Sequence, residues 1–221
     1  MTAASGANRY NLEMALRLYA ATTSQGKLRD FRTAAAAYFI EIEPLPGLAA
    51  IEPPEETGAT FTENARLKAV YYSGFAPGEL VVADDSGLEV DALNGEPGVR
   101  SARFAADAGL TDSPDAGTDN TDVWNNITLL QRMATVPSEQ RSARYRCVLV
   151  AARDGEVVDS AEGAVDGVIL EAPRGTGGFG YDPLFYLPQL ERTMGEIDLE
   201  TKLSLSHRGR AIAALLAKLR P

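Results

Sequence analysis

The sequence contains one cysteine and one histidine among 221 residues, and it has no long hydrophobic run. Because Cys147 is alone, no disulfide can form within the chain, which is typical of proteins from a reducing cytosol. Cys147 lies in the apolar run 147–152 and is interpreted as a core residue, since a catalytic thiol would need a nearby histidine. No apolar stretch approaches the roughly 18 residues that span a bilayer, so we expect a cytoplasmic protein without a membrane partner.

Basic residues are scarce relative to acidic ones. The chain has 31 Asp or Glu against 21 Lys or Arg, a net charge of −10, which would repel nucleic acids. We therefore expect no nucleic-acid partner, and a phosphate ligand would have to be held by local bases, backbone amides or a metal. Residues 201–221 are an exception because they include Lys, Arg and His but no acid. This segment is either a solvated helix face or a wall that faces an anion.

The length and composition predict one globular domain. A chain of 221 residues that is 45% hydrophobic can bury a full core. Residues 1–13 lack the basic start and apolar centre of a signal peptide, so we expect a flexible extension there. Residues 14–221 are expected to form a single catalytic domain with two lobes around a cleft.

The hydrophobic periodicity predicts a mixture of strands and helices. Strands are predicted at 16–21, 40–45, 80–83, 144–153, 156–161 and 167–170, and helices at 27–39, 60–73, 123–133 and 204–219. Thr60 and Glu63 have the spacing of a capping box at a helix start. Asp154-Gly155 is typical of the two-residue turn of a β-hairpin. Residues 107–122 are predicted to form a polar loop. Because strands and helices do not strictly alternate, we expect an α/β fold with a mixed sheet and flanking helices.

Acidic residues follow the predicted strand 80–83. Asp84 and Asp85 come directly after it, and a second acidic pair, Glu55-Glu56, lies upstream. Buried charges require water, a metal or a cation, and Mg²⁺ binds one or two carboxylates together with phosphate oxygens. Carboxylates from these two segments could hold such an ion, and one of them could deprotonate a water molecule. The alternative is a simple turn, for which Asp-Ser-Gly is well suited.

Three further segments could bind a ligand. The polar loop 22–26 leads into Lys27 and a helix start, which attracts phosphate, although such a loop can also be an ordinary connection. The glycine-rich segment 175–183 carries two aromatic residues that either stack on a base or cap the core. Lys202 and the segment 206–210 place cations at the start of the last helix, where they either meet an electron-rich group or are simply exposed.

Taken together, these segments resemble the inosine/xanthosine triphosphate pyrophosphatase family. The resemblance rests on four stretches in the family's order: EETGATFTENARLKA at 55–69, ADDSGLEVDALNGEPGVRSARF at 83–104, GTGGFGYDPLF at 175–185 and SHRGRA at 206–211. It implies an elongated α/β fold with two lobes around a nucleotide-binding cleft, and a homodimer. It also implies hydrolysis of the non-standard purine triphosphates ITP, dITP and XTP to the monophosphate and pyrophosphate, with Mg²⁺ as cofactor.

The resemblance assigns roles to matching residues. It implies that Asp85 is the general base and a metal ligand, with Glu56 and Asp84 at the same metal site. The implied substrate contacts are Thr22, Thr23, Ser24, Lys27 and Lys68 for the phosphates, Ser86 for the nucleotide, Phe179, Gly180, Tyr181 and Asp182 for the purine pocket, and Lys202, His207 and Arg208 for the base edge.

Two features bear on selectivity. Donors such as Arg208 and Lys202 favour the carbonyl oxygen at position 6 of inosine and xanthosine, and they cannot accept from the amino group of adenine. In the first loop, Thr23 and Ser24 stand where the family usually has Gly and Asn.

Two other functions remain open: a pyrophosphatase of ordinary or methylated nucleotides, and a non-catalytic nucleotide sensor.

Overall fold

The computed structural model describes residues 17–110 and 121–219. The expected extension at residues 1–13 lies outside these ranges, as does most of the loop predicted at 107–122. Within them, no helix combines the length and apolar composition needed to cross a membrane.

The described residues form seven strands and six α-helices. The strands are β1 (Arg17–Ala20), β2 (Glu41–Pro44), β3 (Val81–Val90), β4 (Ser142–Arg153), β5 (Glu156–Ile169), β6 (Phe185–Leu187) and β7 (Arg192–Thr193). The helices are α1 (Gln25–Ala36), α2 (Phe61–Ser73), α3 (Phe104–Asp107), α4 (Thr121–Arg132), α5 (Leu199–Leu205) and α6 (His207–Leu219).

The strands form one mixed sheet in the order β2-β1-β3-β4-β5-β6-β7. β1 is parallel to both β2 and β3, and the other neighbouring strands are antiparallel. This arrangement confirms the predicted α/β fold with a mixed sheet.

Local sequence signals account for several element boundaries. Thr60 and Glu63 form the predicted capping box at the start of α2, and Gly74 caps its C-terminus. Asp154 and Gly155 have φ angles of +52° and +84°, as required of a tight two-residue turn between β4 and β5. The hairpin prediction is therefore confirmed.

Side-chain alternation along β3 divides the core between the two faces of the sheet. Val82 packs in a cluster with residues of α1 and α6, whereas Val81 and Ala83 pack in a cluster with residues of α2. A third cluster, which includes Leu88, Leu129 and Phe185, fills the far end of the sheet. The centre of β3 therefore lies where all three clusters meet.

Three predicted boundaries were wrong. The strand predicted at 80–83 continues to Val90, so the Asp84–Gly87 stretch is not a turn. The strand can continue because its buried charges have partners elsewhere in the chain, which a local sequence pattern does not reveal. The strands predicted at 156–161 and 167–170 are one strand, β5, whose polar residues on one side remain exposed. The last helix is interrupted at Ser206, which is extended with a ψ of 159°, and Lys202 therefore lies on α5 rather than at the start of the last helix.

Candidate active site

A cavity of about 540 Å³ opens beside the centre of β3 and collects most of the predicted site residues. Those that line it are Thr22, Thr23, Ser24, Lys27, Glu56, Lys68, Asp84, Ser86, Phe179, Gly180, Tyr181, Asp182 and Arg208. Asp85, Lys202 and His207 do not line it but contact residues that do, namely Lys68, Asp182 and Tyr145 respectively. We call the part around Asp84 and Asp85 the acidic end, and the part around Phe179 the aromatic end.

At the acidic end, the two adjacent aspartates point to opposite faces of β3. Asp84 continues the face of Val82 and pairs with Lys27 of α1 at 2.9 Å. Asp85 continues the face of Ala83 and pairs with Lys68 of α2 at 3.1 Å. Successive strand residues alternate in direction, and this geometry separates two negative charges that are neighbours in sequence.

Asp84 remains ionised because cations surround it. Burial alone would raise the pKa of its carboxyl, but Lys27, Lys68 and Arg208 outweigh that effect and lower the pKa to about 2. The Ser86 hydroxyl also donates a hydrogen bond to Asp84 Oδ2 at 2.9 Å. Asp84 is thus a permanent negative charge on the cavity wall.

Asp85 has the opposite tendency. Burial raises the pKa of its carboxyl above the usual 3.8, and the single cation Lys68 only partly offsets this while Glu56 and Asp84 add to it. Lys68 in turn has a raised pKa, because its three carboxylate neighbours outweigh its own burial. Two neighbouring carboxyls with diverging pKa values are typical of sites that divide the roles of base and fixed charge.

Asn64 is a site residue that the sequence reasoning missed. Its Nδ2 donates to Asp85 Oδ2 at 3.2 Å, and its Oδ1 accepts from the Gly58 N–H at 2.8 Å. Asn64 therefore ties Asp85 to the segment that carries Glu56. It lies within the matched stretch 55–69, but its role depends on a contact 21 residues away that no local pattern displays.

The carboxylate oxygens at the acidic end fit a magnesium ion that phosphate oxygens and water would also ligate. Glu56 is joined to Asp85 through Lys68, which pairs with both carboxylates at 3.3 and 3.1 Å. Among the described residues, no three acidic, His or Cys side chains form a ready-made metal group. Mg²⁺ needs only one or two carboxylates beside phosphate oxygens and water, so Asp85 with Glu56 suits it, and Asp84 on the other face of β3 adds negative charge nearby.

The first loop is organised by its own side chains. Ser24 is the N-cap of α1, and its Oγ accepts from the Lys27 N–H at 3.3 Å. Its own N–H donates to Thr22 Oγ1 at 3.2 Å. A Cβ on Gly26 would lie 2.8 Å from the Phe179 ring, so this glycine lets the loop approach the aromatic end closely.

At the aromatic end, two cations lie close to the ring of Phe179. The Arg208 guanidinium carbon is 4.7 Å and the Lys202 ammonium 5.1 Å from its ring centroid. Asp182 organises this group: it pairs with Lys202 and accepts from the Phe179 N–H at 2.9 Å. The half-buried ring of Phe179 faces the cavity, whereas Tyr181 is buried and its hydroxyl donates to the Ser101 carbonyl at 2.8 Å.

His207 is buried without hydrogen bonds to its ring. The imidazole stacks on Tyr145 at 4.7 Å, and among the described residues neither ring nitrogen has a partner. Burial, followed by the charges of Arg208, Lys202 and Lys27, holds the pKa of His207 well below its usual value. Helix α6 approaches β5 closely at Gly163, where a Cβ would meet the His207 carbonyl. This packing keeps His207 in place.

Arg208 links the two ends. Its Nη2 donates to Ser86 Oγ at 3.1 Å, and its Nη1 is 3.7 Å from Asp30 Oδ2. Asp30 is a second residue that the sequence reasoning missed. The sequence signal that could have found it is its position on the predicted first helix. Asp30 follows Lys27 by three residues, which places both side chains on nearly the same helix face.

Comparison with known proteins identifies relatives along nearly the whole chain. A model of the Ham1 family matches residues 18–218. A dITP/XTP pyrophosphatase from Acidobacterium capsulatum is 63% identical over 207 residues, covering 93% of this chain and 99% of that protein. A dITP/XTP pyrophosphatase from Thermus thermophilus is 46% identical over 201 residues, covering 91% and 90%.

Two solved structures of Ham1 proteins resemble this chain in both sequence and fold. The Ham1 protein of Staphylococcus aureus is 38% identical with a TM-score of 0.74, covering 92% of this chain and 97% of that one. A HAM1 protein from Coxiella burnetii is 33% identical with a TM-score of 0.76, covering 92% and 98%. The likeness in sequence and in fold extends over the elements that build the cavity, and the chain belongs to the Ham1 family.

Proposed function

We propose that this protein is a nucleoside-triphosphate pyrophosphatase that hydrolyses the non-standard purine nucleotides dITP, ITP and XTP to monophosphate and pyrophosphate. One observation carries the proposal: a single cavity has buried carboxylates and lysines at one end and an aromatic ring close to two cations at the other. A purine nucleoside triphosphate has the matching chemistry, since its phosphates need a charged end and its base needs an aromatic one. The named activity of the relatives from Acidobacterium and Thermus supports it.

At the acidic end, the chain supplies a base and phosphate contacts. Asp85, whose pKa is raised, is the better proton acceptor of the two aspartates, and it takes a proton from the water that attacks the α-phosphorus. Pyrophosphate then leaves. Lys27 and Lys68 contact the phosphates, and Thr22, Thr23 and Ser24 form the adjoining loop. Asp84 keeps its charge and holds Lys27 in place.

Asp85 and Glu56 are the residues that would ligate Mg²⁺, and Asp84 would add negative charge to the same site; the ion would neutralise triphosphate charge and orient the water. The charge of −10 makes such neutralisation necessary for a polyanionic substrate. We expect activity to require Mg²⁺ and to disappear in excess chelator. Full activity in excess chelator would contradict this part of the proposal.

At the aromatic end, the chain selects the base. Phe179 stacks on the purine, in a pocket shaped by Gly180, Tyr181 and Asp182. Lys202 and Arg208 lie close to this ring, and with His207 they act on the base edge, where Lys and Arg can only donate. A 6-oxo purine accepts such bonds and adenine does not, so ATP is disfavoured.

The decisive experiment is product analysis with Mg²⁺ and a panel of ITP, XTP, dITP, GTP and ATP. We expect monophosphate and pyrophosphate from the first three, and little reaction with ATP. Diphosphate and orthophosphate would reject the assignment. Preference for ordinary or methylated nucleotides would favour the rival pyrophosphatase, and binding without turnover would favour a nucleotide sensor.

We also propose that the protein is a homodimer and is located in the cytoplasm. Sedimentation would test the oligomeric state.

A further inference from the structure

The first two turns of α4 contact the aromatic end from outside the segments that carry the catalytic motifs. Asp122 Oδ2 accepts a hydrogen bond from the Gly180 N–H at 2.7 Å. Asn126 Nδ2 donates to the Gly180 carbonyl at 2.8 Å, and also to the Asp122 carbonyl at 2.8 Å. Both peptide groups of Gly180 are therefore held by side chains one helical turn apart.

Gly180 depends on these bonds for its conformation. Its φ of +64° lies in the left-handed region, which glycine adopts without strain. A Cβ built on Gly180 would meet no atom within 4 Å among the described residues, so close packing does not fix its backbone. The hydrogen bonds from α4 supply that constraint.

The orientation of Phe179 follows from the same bonds. Its N–H is held by Asp182 at 2.9 Å, and its carbonyl belongs to the peptide whose N–H is held by Asp122. The backbone of Phe179 is thus fixed on both sides, with the ring against Gly26 and beside Arg208. A rotation of the Gly180 peptide would move this ring relative to both.

We propose that Asp122 and Asn126 are positioning residues for base recognition, which act by fixing Gly180 and through it the Phe179 ring. The inference rests on the proposed function, because it assumes that the ring stacks on a purine. Neither residue touches the acidic end, so the effect falls on binding of the base and not on the chemical step.

Asp122 also lines the cavity, and its charge could act on an anionic substrate directly. Two substitutions separate the hydrogen bond from the charge. Asp122→Ala removes both the acceptor and the charge, whereas Asp122→Asn removes the charge and keeps an acceptor oxygen. Asn126→Leu removes the donor at the other peptide and preserves the size of the side chain.

The test measures kcat and KM for dITP, and dissociation constants for dIMP and for pyrophosphate by calorimetry. For Asp122→Ala and Asn126→Leu we expect KM and the dIMP dissociation constant to rise about 3- to 15-fold, as for the loss of one hydrogen bond. We expect unchanged kcat and unchanged pyrophosphate binding. Asp122→Asn should behave like the wild type.

Asp91→Ala is the matched control, because Asp91 is an exposed, hydrogen-bonded carboxylate that does not line the cavity. The inference is overturned if both Asp122→Ala and Asn126→Leu keep wild-type KM, if dIMP and pyrophosphate weaken equally, or if Asp122→Asn matches Asp122→Ala. Wild-type protein that neither hydrolyses dITP nor binds dIMP would instead overturn the proposed function.

Discussion

The acidic end and the aromatic end of the cavity differ in how their buried polar groups are satisfied. Asp84 and Asp85 each have a lysine at 2.9 and 3.1 Å. By contrast, both ring nitrogens of His207 and the Nε of Arg208 have no partner within the described part of the chain. Because unpaired buried polar groups are costly, the carboxylates of the acidic end are stabilised by the chain itself, whereas Arg208, which lines the cavity, keeps a donor that a ligand could satisfy.

This difference assigns separate kinetic roles to the two ends. Groups that are already paired and differ in pKa are suited to the reaction itself, whereas unpaired donors beside an aromatic ring are suited to recognition. Substitutions at the acidic end should therefore lower kcat, and substitutions at the aromatic end should raise KM.

The largest expected effect is that of Asp85→Asn. The substitution keeps the shape and one acceptor oxygen but removes the charge that accepts the proton in the proposed mechanism, and a general base contributes about 10²- to 10⁴-fold. We predict that kcat for dITP falls by at least about 100-fold, with the fold intact by circular dichroism.

The stability of this variant provides a second measurement. Burial raises the pKa of Asp85 in the folded state, so its charged form opposes folding at neutral pH, and Asn should not lower the free energy of unfolding. A folded Asp85→Asn enzyme that keeps more than about a tenth of wild-type kcat would contradict the mechanism.

The next effect is that of Phe179→Ala, and it should appear in KM. Stacking of a base on an aromatic ring contributes about 1–3 kcal/mol, which corresponds to a KM increase of about 5- to 150-fold. We expect kcat for dITP to change much less. Unchanged KM would mean that Phe179 only packs against Gly26 and Arg208, and the proposed division between the two ends would fail.

Local sequence patterns predicted the segments of the site better than the contacts between them. The capping box at Thr60 and the hairpin at Asp154-Gly155 were predicted correctly because their backbone conformations depend on neighbouring residues. Asp84 and Asp85 were predicted as site residues, but their opposite directions follow from a strand that was expected to end before them.

Long-range partners could not be predicted in this way. Asn64 reaches Asp85 across 21 residues, and Asp122 reaches Gly180 across 58. Such pairs are created by packing of helices on the sheet, and neither periodicity nor turn chemistry encodes them. The break at Ser206 has the same origin, since the start of α6 packs closely against Gly163 of β5.

A smaller effect should appear in the pH dependence of stability. His207 is the only histidine in the chain, and its pKa is held well below 6.5 in the folded state. The unfolded chain binds a proton as the pH falls through about 6.5 and the folded protein does not. The free energy of unfolding should therefore decrease below that pH, by up to about 1.4 kcal/mol per unit.

The comparison of wild type with His207→Phe isolates this contribution, because the raised pKa values of Asp85 and Asp30 are common to both. Those two groups act in the opposite direction, since the folded protein takes up their protons at a higher pH than the unfolded chain. Denaturant unfolding at several pH values between about 7.5 and 5.5 should show a flatter profile in the variant. Parallel profiles would show that His207 is protonated in the folded protein.

The smallest expected effect concerns the first loop and sharpens the account of the acidic end. Ser24 caps α1 through the Lys27 N–H, and loss of such a cap costs about 1 kcal/mol of stability. Ser24→Ala should lower the free energy of unfolding by that amount in urea, whereas Ser24→Asn, which restores the family's usual residue, should not. Because the cap fixes the first turn of α1, its loss should also loosen the pair between Lys27 and Asp84 and lower kcat slightly. Equal stability of Ser24→Ala and wild type would mean that the lysine pairing, and not the cap, holds the loop.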